Sequence, residues 1–105
     1  MKKHFFPAPA GVTRVIISQG VLKPKKYVQP ITPGHASRLS STVRLAVLIA
    51  EDGKVEQIHL IEGHPILVNA AIDAVRQWEY EPRKSDGKPV QMATEVRIKF
   101  SANQP

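Results

Sequence analysis

Few residues in this 105-residue chain could do covalent or metal chemistry. It contains no cysteine, which excludes disulfides, thiolate metal sites and cysteine nucleophiles. His59 and His64 are potential metal ligands, but their spacing matches no metal-binding motif, and His64 stands directly before Pro65, where it would cap a helix. The serines lack the strand-to-helix context of a nucleophile, and no glycine-rich loop is placed to hold a phosphate. We therefore expect no catalytic residues, no metal and no cofactor.

The remaining residues of interest have structural explanations. Asp52 and Asp86 each precede a glycine, an arrangement typical of tight turns in which the carboxylate binds local backbone. Trp78 and Tyr80 stand two positions apart near the end of a predicted helix, and we interpret them as packing residues rather than as a stacking platform for a ligand. These residues must be positioned by the elements around them.

The composition, 42% hydrophobic and 23% charged, is that of one folded domain, but the net charge of +6 is unevenly distributed. Residues 1–44 carry eight Lys or Arg and no Asp or Glu, together with five of the nine prolines. Proline disfavours helices and central strands. We therefore divide the chain into a basic, proline-rich arm at 1–41 and a compact domain at 42–105. Within the arm, Val12–Ile17 could form a short strand and Gly34–Leu39 a helical turn.

The compact domain shows clear periodicity. One strand is predicted by the alternation that begins at Val43, a second over Val55–Ile61, and a third over Gln91–Phe100. Between the second and third, apolar residues recur at helical spacing and predict an amphipathic helix of roughly three turns beginning at Pro65. The residues on its apolar face are Leu67, Ala71, Ala74 and Trp78. The order strand, strand, helix, strand predicts an α+β fold, a small antiparallel three-stranded sheet with the helix packed on one face.

Such a sheet leaves two edges, and an edge strand can pair with another chain. The last strand has no proline between Val90 and Phe100, so its backbone is suited to receive a further strand. Glu95, Arg97 and Lys99, on its outer face, either keep this surface soluble or select the peptide that adds there.

Several segments of the chain, in order, resemble the TonB C-terminal domain family: Glu51–Val55, Gly63–Leu67, Ala70–Pro82 and Asp86–Val90. The resemblance extends over residues 43–100. Two positions depart from the family pattern, because Thr32 precedes Pro33 where a Tyr-Pro pair is usual, and Glu79 stands where Arg is common.

The resemblance implies a periplasmic, non-catalytic domain of an energy transducer that drives uptake of substrates such as iron-siderophores. Its partner would be the N-terminal segment of a TonB-dependent outer-membrane transporter, bound by β-strand addition. Secondary contacts are expected at Thr32, Pro33 and Arg38. The primary partner-binding residues would be Gln91, Ala93, Thr94, Glu95, Val96, Arg97, Ile98 and Lys99. Inner-membrane proton-channel partners would be contacted only through a membrane anchor, and we expect that anchor to lie outside this chain.

Two other hypotheses stay open. The same edge could pair with a second copy of the chain, giving an edge-paired or strand-exchanged homodimer. Apolar residues on the far face of the first strand, Ala46, Leu48 and Ala50, suggest that something covers that face, either a second copy or the arm. Alternatively, the basic arm could bind anionic surfaces or nucleic acid, but Tyr27 is the only aromatic beside the cluster of Lys23, Lys25 and Lys26, so no sequence-specific nucleic-acid binding is expected.

Overall fold

The structure is a computed structural model that describes residues 6–7, 11–34 and 40–100. These described residues form five strands and one helix in the order β1, β2, β3, α1, β4, β5. Their bounds are β1 Arg14–Ile17, β2 Ser41–Ile49, β3 Val55–Glu62, α1 Pro65–Val75, β4 Arg83–Ser85 and β5 Lys88–Phe100. Within these ranges, no helix is long and apolar enough to cross a membrane.

The predicted hairpin is confirmed as β2 and β3, which pair antiparallel. Its turn is closed by Asp52, whose Oδ1 accepts a hydrogen bond from the backbone N–H of Lys54 at 3.0 Å. Gly53 adopts φ +91°, a left-handed conformation that side chains disfavour. The backbone N–H of Tyr80 donates to the Gly53 carbonyl at 2.7 Å, so this turn also holds the segment that follows the helix.

The helix begins as the sequence predicts and ends earlier. His64 is the N-cap, its Nδ1 accepting from the backbone N–H of Ile66 at 3.2 Å, and Pro65 opens the first turn. The prediction that Trp78 lies on the helix is wrong, because α1 ends at Val75. Residues beyond it are drawn into other pairings: Glu79 exchanges backbone hydrogen bonds with Lys26, at 3.1 Å in each direction.

The sheet is larger than predicted and mixed rather than antiparallel. Its order is β1-β5-β2-β3, and β4 pairs separately with β5. The three predicted strands form the antiparallel part, while β1 adds to β5 in parallel, with Arg14 opposite Gln91 and Ile17 opposite Thr94. A strand in the arm was predicted, but not its pairing, because parallel contact between segments so far apart in sequence leaves no local signal. The predicted helical turn at Gly34–Leu39 lies largely outside the described residues.

The two faces of the sheet are covered differently. The main core lies between the sheet and α1, where Trp78 and Tyr80 are both buried; burial raises the pKa of Tyr80 to about 12. On the other face Phe6 is buried against Ala46, Leu48 and Ala93. The arm therefore covers part of this apolar face, one of the two alternatives left open by the sequence.

We predict that the two glycine turns differ in their tolerance of alanine. Gly53 and Gly87 both have positive φ, but an added Cβ at Gly53 would collide with the carbonyl of Tyr80, whereas at Gly87 it would meet open space. Gly87→Ala should cost about 1 kcal/mol of unfolding free energy, from the backbone conformation alone, and Gly53→Ala about 3 kcal/mol or more. Urea denaturation of both variants measures the difference; equal losses would contradict the close packing of the Gly53 turn.

Candidate functional site

The outer side of β5 is paired along only part of its length. β2 pairs with one side of β5 without interruption, from Met92 opposite Ile49 to Phe100 opposite Ser41. On the other side, β1 covers Gln91–Thr94. No strand in the described part of the chain pairs with the outer side of Glu95–Phe100, and we call this segment the β5 free edge.

Alternation along β5 identifies the exposed backbone groups. The N–H of Gln91 donates to the Thr13 carbonyl at 3.1 Å, so the odd-numbered residues direct their backbone groups to the outer side. By the same alternation, the N–H of Glu95 lies against the Ile17 carbonyl at the end of β1. The outward groups beyond it are the C=O of Glu95 and the N–H and C=O groups of Arg97 and Lys99, and no strand in residues 6–7, 11–34 and 40–100 is paired with them. The edge therefore presents a short ladder of donors and acceptors.

The expectation that the whole of Gln91–Phe100 is an open edge is wrong for its first part. Gln91, Ala93 and Thr94 lie in the part of β5 that is paired with β1. Side-chain hydrogen bonds also join β1 to β5 there. The Oγ1 of Thr94 donates to the Ile17 carbonyl at 2.8 Å, and Arg14 donates to the Gln91 side chain at 3.1 and 3.2 Å. The other predicted residues, from Glu95 to Lys99, lie on the β5 free edge, although the side chains of Val96 and Ile98 are buried in the main core.

A chain of ion pairs crosses the sheet on the face opposite α1. Arg44 on β2 lies directly opposite Arg97. Glu95 accepts from both: from Arg44 Nε at 2.9 Å and Nη2 at 3.2 Å, and from Arg97 Nε at 2.8 Å. At the far end, Arg44 Nη1 donates to Glu62 at 2.8 Å. The sequence indicated Glu95 and Arg97 but missed Arg44, because only the β2–β5 register brings it beside them.

These contacts set the protonation of the cluster. The hydrogen bonds from Arg44, and then from Arg97, lower the pKa of the Glu95 carboxyl to about 2. The same pairing raises the pKa of Arg44, so both groups stay charged at neutral pH. Glu95 is thus a fixed anion whose charge is offset by two arginines.

The helix side of the β5 free edge is bordered by the arm segment Tyr27–Pro30. Trp78 Nε1 donates to the Val28 carbonyl at 2.8 Å, and the Tyr27 and Trp78 rings lie 4.9 Å apart. A cavity of about 130 Å³ remains between this segment and the edge. It is lined by Tyr27, Gln29, Pro30, Trp78, Arg97, Ile98, Lys99 and Phe100. Apart from the isolated aromatic residue Tyr27, no pattern in the sequence predicts this border.

The predicted secondary contacts are placed differently. Pro33 lines a separate cavity together with Pro65 and Ile66 of α1. The preceding residue, Thr32, is half-buried. Arg38 lies outside the described residues. Glu79, which departs from the family pattern, is paired with Lys26: their side chains approach to 3.8 Å.

The residues first considered for chemistry are dispersed. His59 lies on β3 opposite Ala46, and His64 caps α1. Within the described ranges, no group of three or more His, Asp or Glu residues could hold a metal ion.

Comparison with known proteins identifies the chain's relatives. The family described as Gram-negative bacterial TonB protein C-terminal matches residues 35–102. The chain is similar to Protein TonB of Pseudomonas aeruginosa, with 28% identity over 86 residues, 78% of this chain and 25% of that protein. The chain therefore spans about a quarter of the length of this curated relative.

Two solved structures share the fold. The solution NMR structure of the Pseudomonas aeruginosa TonB C-terminal domain matches with a TM-score of 0.66 and 24% identity, over 82% of this chain and 91% of that one. The TonB2 protein of Vibrio anguillarum matches with a TM-score of 0.59 and 22% identity, over 99% of this chain and 96% of that one.

We predict that Glu95 makes stability depend on pH in the acid range. Because its pKa is depressed when folded, its contribution is fully present above the unfolded value of 4.5 and is lost as pH falls through about 2. Glu95→Gln should lower the unfolding free energy by about 1 kcal/mol at neutral pH and flatten its decline below pH about 4.5. Glu56→Gln is the control, since Glu56 is exposed and forms no ion pair among the described residues. Urea denaturation midpoints of both variants are measured across this pH range. If the midpoints of the two variants fell equally with pH, Glu95 would not be the source of the acid dependence.

Proposed function

Since the chain belongs to the family of Gram-negative bacterial TonB C-terminal domains, we propose that it is the partner-binding domain of a TonB-type energy transducer. It engages the N-terminal segment of an outer-membrane transporter in the periplasm, by addition of a strand to the β5 free edge. One observation carries this proposal: the C=O of Glu95 and the outward N–H and C=O groups of Arg97 and Lys99 have no strand partner in the described part of an otherwise paired β5. Backbone hydrogen bonds supply affinity in such complexes.

The geometry favours β5 over β3, which lies at the opposite edge of the sheet. β3 is joined to β2 through two register irregularities, at Arg44/Leu45 and at Leu48/Ile49, and such bulges twist an edge and hinder regular pairing. β5 is paired with β2 in uninterrupted register from Met92 to Phe100, so its outer side is a regular template. An added strand needs that regularity to form consecutive bonds.

The length of the β5 free edge limits the strength of binding. Only three residues direct backbone groups outward, so the interface falls in the small class, below about 1,200 Å² of total buried surface, that is typical of transient complexes. Weak, reversible binding suits a component that must engage and release a transporter repeatedly. No chemistry on the bound segment is proposed.

The role of the whole transducer follows from the family and is likewise a proposal. A membrane anchor elsewhere in the full protein would tether this domain to the inner membrane and connect it to proton-channel partners. The force would open a transporter for cargo such as iron-siderophores. The homodimer hypothesis uses the same β5 free edge, but it predicts that the molecular mass in solution rises with protein concentration.

We predict that transporter peptides bind through alternate backbone amides. Titration of the ¹⁵N-labelled domain with peptides from the N-terminal segments of outer-membrane transporters should shift the amides of Arg97 and Lys99, and shuffled peptides should not. N-methylation removes peptide donors: methylating the alternate residues that face β5 should abolish binding, and methylating the intervening ones should leave it largely unchanged.

Two outcomes would contradict the proposal. Equal effects of the two methylation patterns would mean that no backbone ladder forms. Absence of shifts with every peptide, together with a molecular mass that doubles as protein concentration rises, would favour the edge-paired homodimer. Sedimentation analysis of the unlabelled domain measures that mass.

A further inference from the structure

The face of the β5 free edge opposite α1 carries more positive than negative charge. Arg97 has a side chain that is 51% exposed, and only its Nε has an acceptor within the described residues. The Lys99 side chain is exposed and forms no ion pair in that part of the chain. Glu95 offsets these charges only in part, because it is shared between Arg44 and Arg97. Arg44, Arg97 and Lys99 against Glu62 and Glu95 leave three positive charges to two negative ones.

The Arg97 guanidinium is held in place rather than mobile on the surface. Its bond to Glu95 joins it, through Arg44, to Glu62 on β3, so the chain of ion pairs is fixed across three strands. This arrangement leaves the terminal nitrogens of Arg97 available at the edge. Side chains directly opposite in neighbouring strands lie about 5 Å apart, within reach of an ion pair.

On the α1 side of the β5 free edge, the side chains of Ile98 and Phe100 are buried. The cavity of about 130 Å³ between this edge and Tyr27–Pro30 is lined by these two residues and Trp78, and also by the polar residues Gln29, Arg97 and Lys99. Because side chains of a strand alternate between faces, an added strand would place every second residue beside this cavity and the intervening ones beside Arg97 and Lys99.

We propose that the β5 free edge selects a strand in which acidic residues alternate with apolar ones. Carboxylates of the added strand pair with Arg97 and Lys99 on one face, and its apolar side chains lie beside Trp78 on the other. This inference rests on the proposed strand addition and specifies the chemistry of the partner segment.

The test uses short capped peptides that alternate valine with glutamate, with glutamine or with lysine, titrated into the labelled domain. The glutamate peptide should bind about fivefold more tightly than the glutamine peptide, and the lysine peptide more weakly than both. A peptide of the same composition with its glutamates adjacent is the charge-matched control and should lose most of this advantage. The advantage should also decline as salt is added, since exposed charge pairs are screened.

Protein variants assign the effect to residues. Lys99→Gln and Arg97→Gln should each reduce the preference for glutamate to about twofold. Lys84→Gln is the matched control, because Lys84 is an exposed lysine on β4, which pairs with the other end of β5. It should leave the preference unchanged.

The outcomes separate the two proposals. Equal affinities for the glutamate and glutamine peptides, with amide shifts at Arg97 and Lys99, would overturn the acidic selectivity and leave strand addition intact. A preference that persists in both edge variants would overturn it too. If no peptide shifts those amides, strand addition and the selectivity that depends on it are both wrong.

Discussion

Nine consecutive residue pairs join β2 to β5, and most features of the molecule depend on this one ladder. Side chains alternate across the sheet, so a fixed register decides at once which residues meet on each face. On the α1 face, Val43 and Leu45 come beside Ile98 and Val96 and build the main core. On the other face the same register brings Arg44 to Arg97. A slip of one residue would exchange the buried and exposed sets of side chains.

The local elements of the fold were predictable because their signals are local. The β2–β3 hairpin follows from alternation on both sides of an Asp-Gly turn, and the start of α1 from His64 and Pro65. The end of α1 was not predictable, because it depends on residues distant in sequence. Glu79 forms backbone hydrogen bonds with Lys26, and Tyr80 forms one with Gly53, so these residues cannot continue the helix. The parallel pairing of β1 is the extreme case, since no short stretch of sequence encodes it.

The candidate site divides in the same way. Glu95, Arg97 and Lys99 could be recognised from alternation along one strand. Arg44 could not, since its proximity to Glu95 is a property of the paired strands and not of either sequence. The pairing of β1 with this edge could not be predicted either, and it shortens the ten-residue segment indicated by the sequence to the six residues Glu95–Phe100. Phe6 shows why covering matters: the arm supplies a side chain that buries Ala46, Leu48 and Ala93.

The place where β1 ends has a consequence for the choice between partners. Beyond Thr94 the edge extends for about six residues to Phe100, or roughly 20 Å at the rise of a strand. In the proposed strand addition, a segment that extends past Glu95 towards β1 gains further backbone bonds only if it displaces β1. Segments of different transporters would then compete for the same residues, and one domain could bind only one segment at a time. The choice between them would depend on the abundance of each transporter and on the side chains that face Arg97 and Lys99.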